Sequence, residues 1–192
     1  MKKYILSIAL LVATVAGVKA QATLGIKGGI NFSKINTDNV KESSVTGYQA
    51  GLFARLGNVW YLQPELYLGS RGGKFEGSSN GNTTTANGKV TFTTLNVPLL
   101  LGRKLASFGS LNVRAMAGPI YSYNLSESKN VGAIAADFGE YKNSTLGFQA
   151  GGGIDIGNIT ADLRYEGGLT KLNEKYGQRA NLWALSIGFK IL

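Results

Sequence analysis

The sequence predicts an all-β fold: an eight-stranded antiparallel up-and-down transmembrane β-barrel, preceded by a cleavable N-terminal signal peptide. Three observations lead to this prediction. Apolar and polar residues alternate with a period of two in eight separate runs. The connections between the runs alternate between short and long. One face of every run carries no charged side chain.

The first residues have the pattern of an export signal. A basic start precedes an apolar run from Ile5 to Val18, and small residues follow up to Ala20. An uncleaved anchor helix is the alternative, but the apolar run is shorter than the roughly 20 residues that such a helix needs. We therefore expect a signal peptide over residues 1–20 and a barrel domain over residues 21–192.

Each run has apolar residues on one side and small, polar or charged residues on the other, as expected for a strand between two different environments. In one place, between Phe92 and Leu95, the apolar residues move from even to odd positions, and a β-bulge would explain this slip. The eight predicted strands lie within residues 23–33, 47–56, 60–71, 95–102, 111–121, 146–156, 159–169 and 183–191.

The connections indicate how the strands are wired. Short turns on one side and long loops on the other are typical of outer-membrane barrels. An even number of strands leaves both termini on the short-turn side, which we expect to be the periplasm. The predicted short connections are Gly57-Asn58, 103–110 and Gly157-Asn158, and the predicted long ones are 34–46, 72–89, 124–144 and 170–181.

The charge pattern indicates which face meets lipid. A Lys or Arg on the lipid face costs roughly 2–4 kcal/mol at the bilayer midplane, and the apolar faces avoid such residues. We therefore expect the apolar side chains to point outward, whereas a soluble ligand-binding barrel would enclose them. The polar faces would then bring together an interior charge network of Lys27, Arg55, Glu65, Arg71, Arg114, Asp155, Asp162, Arg164 and Glu166.

Aromatic residues cluster near the ends of the apolar faces, where membrane barrels carry interfacial girdles. Two of them, Trp60 and Phe189, lie toward the short turns. The predicted interfacial aromatics toward the long loops are Phe32, Tyr48, Tyr121, Tyr123, Phe148 and Trp183.

Several segments resemble the PorT-like, "porin-family" outer-membrane β-barrel domain. The most specific is LNVPLLLGRK (95–104). The resemblance also rests on GIKGGINFSKI (25–35), LQPELYLGSRGGK (62–74), AGPIYSY (117–123), LGFQAGGGIDIG (146–157) and ADLRYEGGLTKL (161–172). It covers nearly all of the chain after residue 20 and implies an integral outer-membrane protein of eight strands. It does not imply transport.

The composition argues against catalysis. The chain contains no histidine and no cysteine, so the commonest general base, the commonest metal ligand and the thiol nucleophile are missing. Asp162 and Glu166 share one face of a strand, about 13 Å apart, and Arg164 between them favours an ion-pair cluster. We expect no enzyme activity, no cofactor and no metal.

The sequence therefore favours a structural or interaction scaffold that acts through long extracellular loops. A narrow channel for ions or small solutes, a soluble ligand-binding barrel and an accessory subunit of a secretion machine are the alternatives. The net charge of +9 suits outer-membrane lipid and lipopolysaccharide rather than nucleic acid. The barrel-assembly machinery is the expected partner during biogenesis, whereas the sequence identifies no extracellular partner.

Overall fold

The structure, a computed structural model, describes most of the region predicted to form the barrel. The signal-peptide prediction for residues 1–20 lies outside the described residues, as do parts of all four predicted long loops. Near the long loops, the side chains at the ends of several strands are not described, and Arg71 is one of these residues. The described residues are 22–36, 42–77, 86–131, 144–170 and 179–192.

Eight strands form one closed sheet in which each strand pairs antiparallel with the next, and the last pairs with the first. This confirms the prediction of an eight-stranded up-and-down barrel. Among the described residues, no helix is long and apolar enough to cross a membrane. The strands are β1 (Ala22–Asn36), β2 (Glu42–Gly57), β3 (Trp60–Gly77), β4 (Ala86–Phe108), β5 (Leu111–Val131), β6 (Ser144–Ile156), β7 (Ile159–Gly168) and β8 (Arg179–Lys190).

The strands are staggered as closure requires. Successive cross-strand partners lead from Leu56 of β2 once around the barrel to Thr46 of the same strand, a shear of ten residues. Strands in such barrels tilt by about 35–45° to the axis. Eight strands enclose a lumen that side chains can fill, so the inward side chains determine whether it is open.

The short-turn end differs from the prediction in two places. The predicted turn Gly57-Asn58 is wrong by one residue, because β2 continues to Gly57 and the turn is Asn58-Val59. The predicted connection 103–110 is wrong, because β4 continues to Phe108 and the turn itself is only Gly109-Ser110. A bulge at Leu105 breaks the period of two, and this is why the sequence pattern failed to reveal the strand. Gly109 adopts a φ of 61°, which favours glycine.

The strands also run further into the predicted long loops than expected. The loop predicted over residues 72–89 is strand up to Gly77 and again from Ala86. This extension was missed because a hairpin beyond the bilayer needs no apolar face, so its alternation is weak. Between Thr93 and Thr94, where the sequence suggested a bulge, the pairing does shift, but the extra residue is Leu125 on β5.

Apolar side chains cover the outside of the barrel and charged side chains lie inside it, as in a membrane barrel. Leu52, Leu99 and Leu163 are 57%, 46% and 52% exposed, whereas the inward side chains of Arg55 and Arg164 are buried. The alternative of a soluble barrel is therefore wrong, because it would place these leucines inside and these arginines in water.

Candidate functional site

A closed circuit of seven hydrogen-bonded side chains crosses the lumen near the short turns. Its members are inward residues of β2, β3, β5, β6 and β7, and all of them lie in the half of the barrel nearer the short turns. All seven are almost fully buried. We call this circuit the lumen ring, and its members are Arg55, Gln63, Glu65, Arg114, Asp155, Asp162 and Arg164.

Glu65 is the most highly connected carboxylate of the lumen ring. The guanidinium of Arg164 donates to both of its oxygens, with each N–O distance 2.8 Å. The Lys27 ammonium lies 2.5 Å from Oε2, and the Gln63 amide donates to Oε1 at 2.6 Å. Bidentate, charge-assisted contacts of this kind are strong and fix the geometry of both partners.

Arg114 joins the other two carboxylates of the ring. Its Nε donates to Asp155 at 3.0 Å and its Nη2 to Asp162 at 2.5 Å. Nη2 also donates to the hydroxyl of Thr160. Because one guanidinium links β5 to both β6 and β7, the side chains on this wall of the barrel form one unit.

Two arginines complete the ring. Arg164 donates to Asp162 at 2.6 Å and so connects the Glu65 side to the Arg114 side. On the opposite side, Arg55 donates to Asp155 at 2.8 Å and to Gln63 at 2.9 Å. Every step of the circuit is therefore a direct contact between side chains.

Aromatic rings fill the space around these cations. The Lys27 ammonium lies 4.6 Å from the Tyr67 ring centroid, and the Arg55 guanidinium lies 5.0 Å from that of Tyr61. Cation–π contacts of this kind are attractive and become stronger when water is excluded. The lumen is thus occupied by ion pairs and by the rings stacked on them.

Glycine makes room for the ring. Gly153 lies opposite both Arg114 and Asp162 in the pairing of β6 with its neighbours. A Cβ at this position would lie 2.2 Å from Asp162 Oδ1 and 2.9 Å from Arg114 Nη2. Gly102 similarly leaves space for the Tyr61 ring. Part of the glycine content therefore serves side-chain packing rather than turns.

Most of the predicted interior charges lie where the sequence pattern placed them. Lys27, Arg55, Glu65, Arg114, Asp155, Asp162, Arg164 and Glu166 are all buried on the inward face. The side chain of Arg71 lies outside the described residues. Glu166 accepts a hydrogen bond from Gln149 at 3.0 Å, above the ring. Gln63, which closes the ring, was not singled out, although its inward position in the alternation could have identified it.

The predicted interfacial aromatics all lie on the outward face. Toward the short turns, Trp60 stacks on Arg103, with the guanidinium 5.1 Å from its ring centroid. Toward the long loops, Tyr165 joins Phe148 and Trp183 in a row, although it was not predicted as part of the girdle. The outward-facing members of the prediction are Phe32, Tyr48, Trp60, Tyr121, Tyr123, Phe148, Trp183 and Phe189.

The inner carboxylates do not assemble a metal centre. In the parts of the chain that the structure describes, no group of three or more His, Cys, Asp or Glu residues is placed to hold a metal ion. Glu65, Asp155 and Asp162 instead contact lysine or arginine. The arrangement can seal and rigidify the lumen.

Comparison with known proteins agrees with this architecture. The model of a family described as "Outer membrane protein beta-barrel domain" matches residues 19–174. No curated protein sequence matches the chain.

The solved structures that are similar to this chain are distant from it in sequence. OprG, an outer membrane protein from Pseudomonas aeruginosa, is 16% identical, with 92% of this chain and 99% of OprG covered and a TM-score of 0.54. Neisserial surface protein A is 12% identical, with 89% and 99% covered and a TM-score of 0.52. Ail, the attachment invasion locus protein of Yersinia pestis, is 16% identical, with 89% and 99% covered and a TM-score of 0.46. At these identities the likeness to OprG and to Neisserial surface protein A shows the fold alone.

Proposed function

Because this chain belongs to the outer membrane protein β-barrel domain family, it is an integral outer-membrane barrel, and we propose that it acts as a structural and interaction scaffold rather than as a channel or an enzyme. The observation that carries this proposal is the lumen ring. A scaffold needs a rigid barrel that holds its loops in place, and it does not need a pore.

The lumen ring argues against conduction. An eight-stranded barrel has only enough internal space for side chains, and here that space holds charges that neutralise one another. Among the side chains that the structure describes, the four buried cations Lys27, Arg55, Arg114 and Arg164 are equal in number to the four buried carboxylates Glu65, Asp155, Asp162 and Glu166. An ion passing through would have to separate pairs whose contacts are 2.5–3.0 Å long.

The same contacts argue against catalysis. Glu65 is held by Lys27 and Arg164, so it is not available as a general acid or base. Asp162 is likewise held by two arginines. The chain offers no histidine or cysteine to replace them.

We propose that the short turns and both termini face the periplasm, and that the hairpins at the opposite end face the outside. This orientation rests on two observations. The number of strands is even, and the two-residue turns lie at the same end of the barrel as the start of β1 and the end of β8. It also implies export through a cleaved signal peptide (residues 1–20) and insertion by the barrel-assembly machinery. Lipid and lipopolysaccharide would surround the barrel, and an external partner would bind the outer hairpins.

Planar-bilayer recording tests the sealed lumen. We expect no steady unitary conductance from the purified barrel, because the lumen ring spans the bore. Glu65→Ala removes the carboxylate that holds Lys27, Gln63 and Arg164, and it should raise the current above the wild-type baseline. A steady unitary current from the wild-type protein would overturn the scaffold proposal in favour of a narrow channel.

Tag accessibility on intact cells tests the orientation. An epitope tag inserted within residues 78–85 should bind antibody on intact cells, because we expect this hairpin to lie outside. The same tag inserted between Gly109 and Ser110 is the matched control and should bind only after the outer membrane is permeabilised. The reverse pattern would show that the barrel is inserted the other way up.

Deleting residues 72–89 separates folding from binding. The deletion shortens the β3–β4 hairpin but leaves the pair Gly69 and Thr94, below it, in place. We expect the variant to stay folded, so that its migration on a gel still changes on boiling, while any adhesion of expressing cells is lost. Adhesion that survives this deletion would assign binding to another hairpin.

A further inference from the structure

Arg103 is a charged residue on the outward face of the barrel. Among the charged residues whose side chains the structure describes, Arg103 alone is outward and exposed. It lies on β4 between Leu101 and Leu105, which are 55% and 62% exposed. The outward surface continues beyond it to Phe108 at the tip of the hairpin. The guanidinium is therefore flanked by apolar side chains on the outward face, near the short-turn edge of that surface.

Trp60 holds this guanidinium in place. The two residues are direct cross-strand partners in the pairing of β3 with β4, and the guanidinium lies 5.1 Å from the ring centroid. Stacking of this kind orients the guanidinium plane and leaves its edge free to donate hydrogen bonds. Tryptophan is enriched at the boundary between hydrocarbon and headgroups, which locates the pair at that depth.

No carboxylate side chain that the structure describes is placed to pair with Arg103. Each carboxylate whose side chain the structure describes is buried on the inward face, on the other side of the barrel wall. The neighbouring cation, Lys104, lies on the opposite face of β4 near the short-turn rim, where its half-buried side chain donates to the exposed turn residue Asn58 at 2.7 Å. A lipid phosphate suits the free edge of Arg103, because a guanidinium binds phosphate oxygens in a bidentate manner.

We propose that Trp60 and Arg103 form a binding site for the phosphate of an anionic phospholipid in the periplasmic leaflet, with the acyl chains along Leu62 and Leu101. The choice of an anionic headgroup follows from charge. A zwitterionic headgroup brings a second cation close to Arg103, and the described outward side chains near Arg103 carry no negative charge to balance it. The assignment to the periplasmic leaflet rests on the orientation proposed above, whereas the site itself does not.

Native mass spectrometry of the full barrel in detergent tests the site. The probe is an equimolar mixture of phosphatidylglycerol and phosphatidylcholine with identical acyl chains. We expect the wild-type complex with one lipid to favour phosphatidylglycerol by about fivefold, the ratio that one basic residue near a membrane surface confers. Arg103→Gln should bring this ratio to about one.

Lys104→Gln is the matched control, because it removes the same charge one residue away on the opposite face of β4. It should keep the wild-type ratio, and a gel with and without boiling should show that both variants are folded. Equal loss in both variants, or full retention in Arg103→Gln, would overturn the proposal. So would preferential binding of lipid A when it competes with phosphatidylglycerol. Micelles have no leaflets, so a wrong orientation would leave these results unchanged.

Discussion

The two halves of the lumen are built from different chemistry. Toward the short turns, inward positions hold the lumen ring and Lys27, so that ion pairs connect the strands. Toward the long loops, inward positions hold neutral groups such as Gln49, Asn96 and Ser122, with Glu166 as the charged exception among the described side chains.

Because of this difference, the two halves should lose different amounts of stability when one side chain is substituted. A neutral amide that loses a partner leaves one hydrogen bond unmade, which costs about 1–3 kcal/mol. A buried charge that loses its partner is left uncompensated, and breaking such a pair costs about 3–5 kcal/mol. The short-turn half is therefore the half in which a single substitution should disturb the barrel most.

The largest effect is expected from Arg114→Leu. This change leaves Asp155 and Asp162 without their shared guanidinium, and we expect the free energy of unfolding to fall by about 3–5 kcal/mol. Urea unfolding in phospholipid vesicles, followed by fluorescence of Trp60 and Trp183, measures it.

Asn96→Ala is the comparison variant in the neutral half. Asn96 is as buried as Arg114, and its amide donates to Thr94 at 2.9 Å. We expect it to lower the free energy of unfolding by about 1 kcal/mol. If the two variants lost equal stability, the contrast between the halves would be wrong.

An effect smaller than that of Arg114→Leu, but no smaller than that of Asn96→Ala, is expected from Gly153→Ala. The added methyl group would overlap Asp162 and Arg114, and overpacking of this kind costs about 1–3 kcal/mol. Gly152→Ala is the neighbouring control, because its Cβ faces outward with the nearest atom, Arg114 O, 3.5 Å away. It should change stability by no more than about 0.5 kcal/mol. The same unfolding experiment compares them, and equal effects would mean that Gly153 does not make room for the ring.

The sequence pattern predicted the strands well inside the bilayer and poorly beyond it. Inside the bilayer the period of two is enforced by lipid on one side and the lumen on the other, so the inward positions of Arg55, Glu65 and Arg164 were predictable. The bulge at Leu105 interrupts it, so β4 beyond Arg103 was taken for a connection. Outside the bilayer nothing enforces it, so the strand ends near Gly77 and Ala86 were missed.

The sequence by itself determined the number of strands, their alternation and which face meets lipid, because each of these depends on single residues and their immediate neighbours. It did not determine which side chains pair with one another in the lumen. The contacts between Arg55 and Asp155 and between Glu65 and Arg164 join residues about a hundred positions apart. Only closure with a shear of ten brings them together, because the stagger of all eight strands sets which inward side chains share a level.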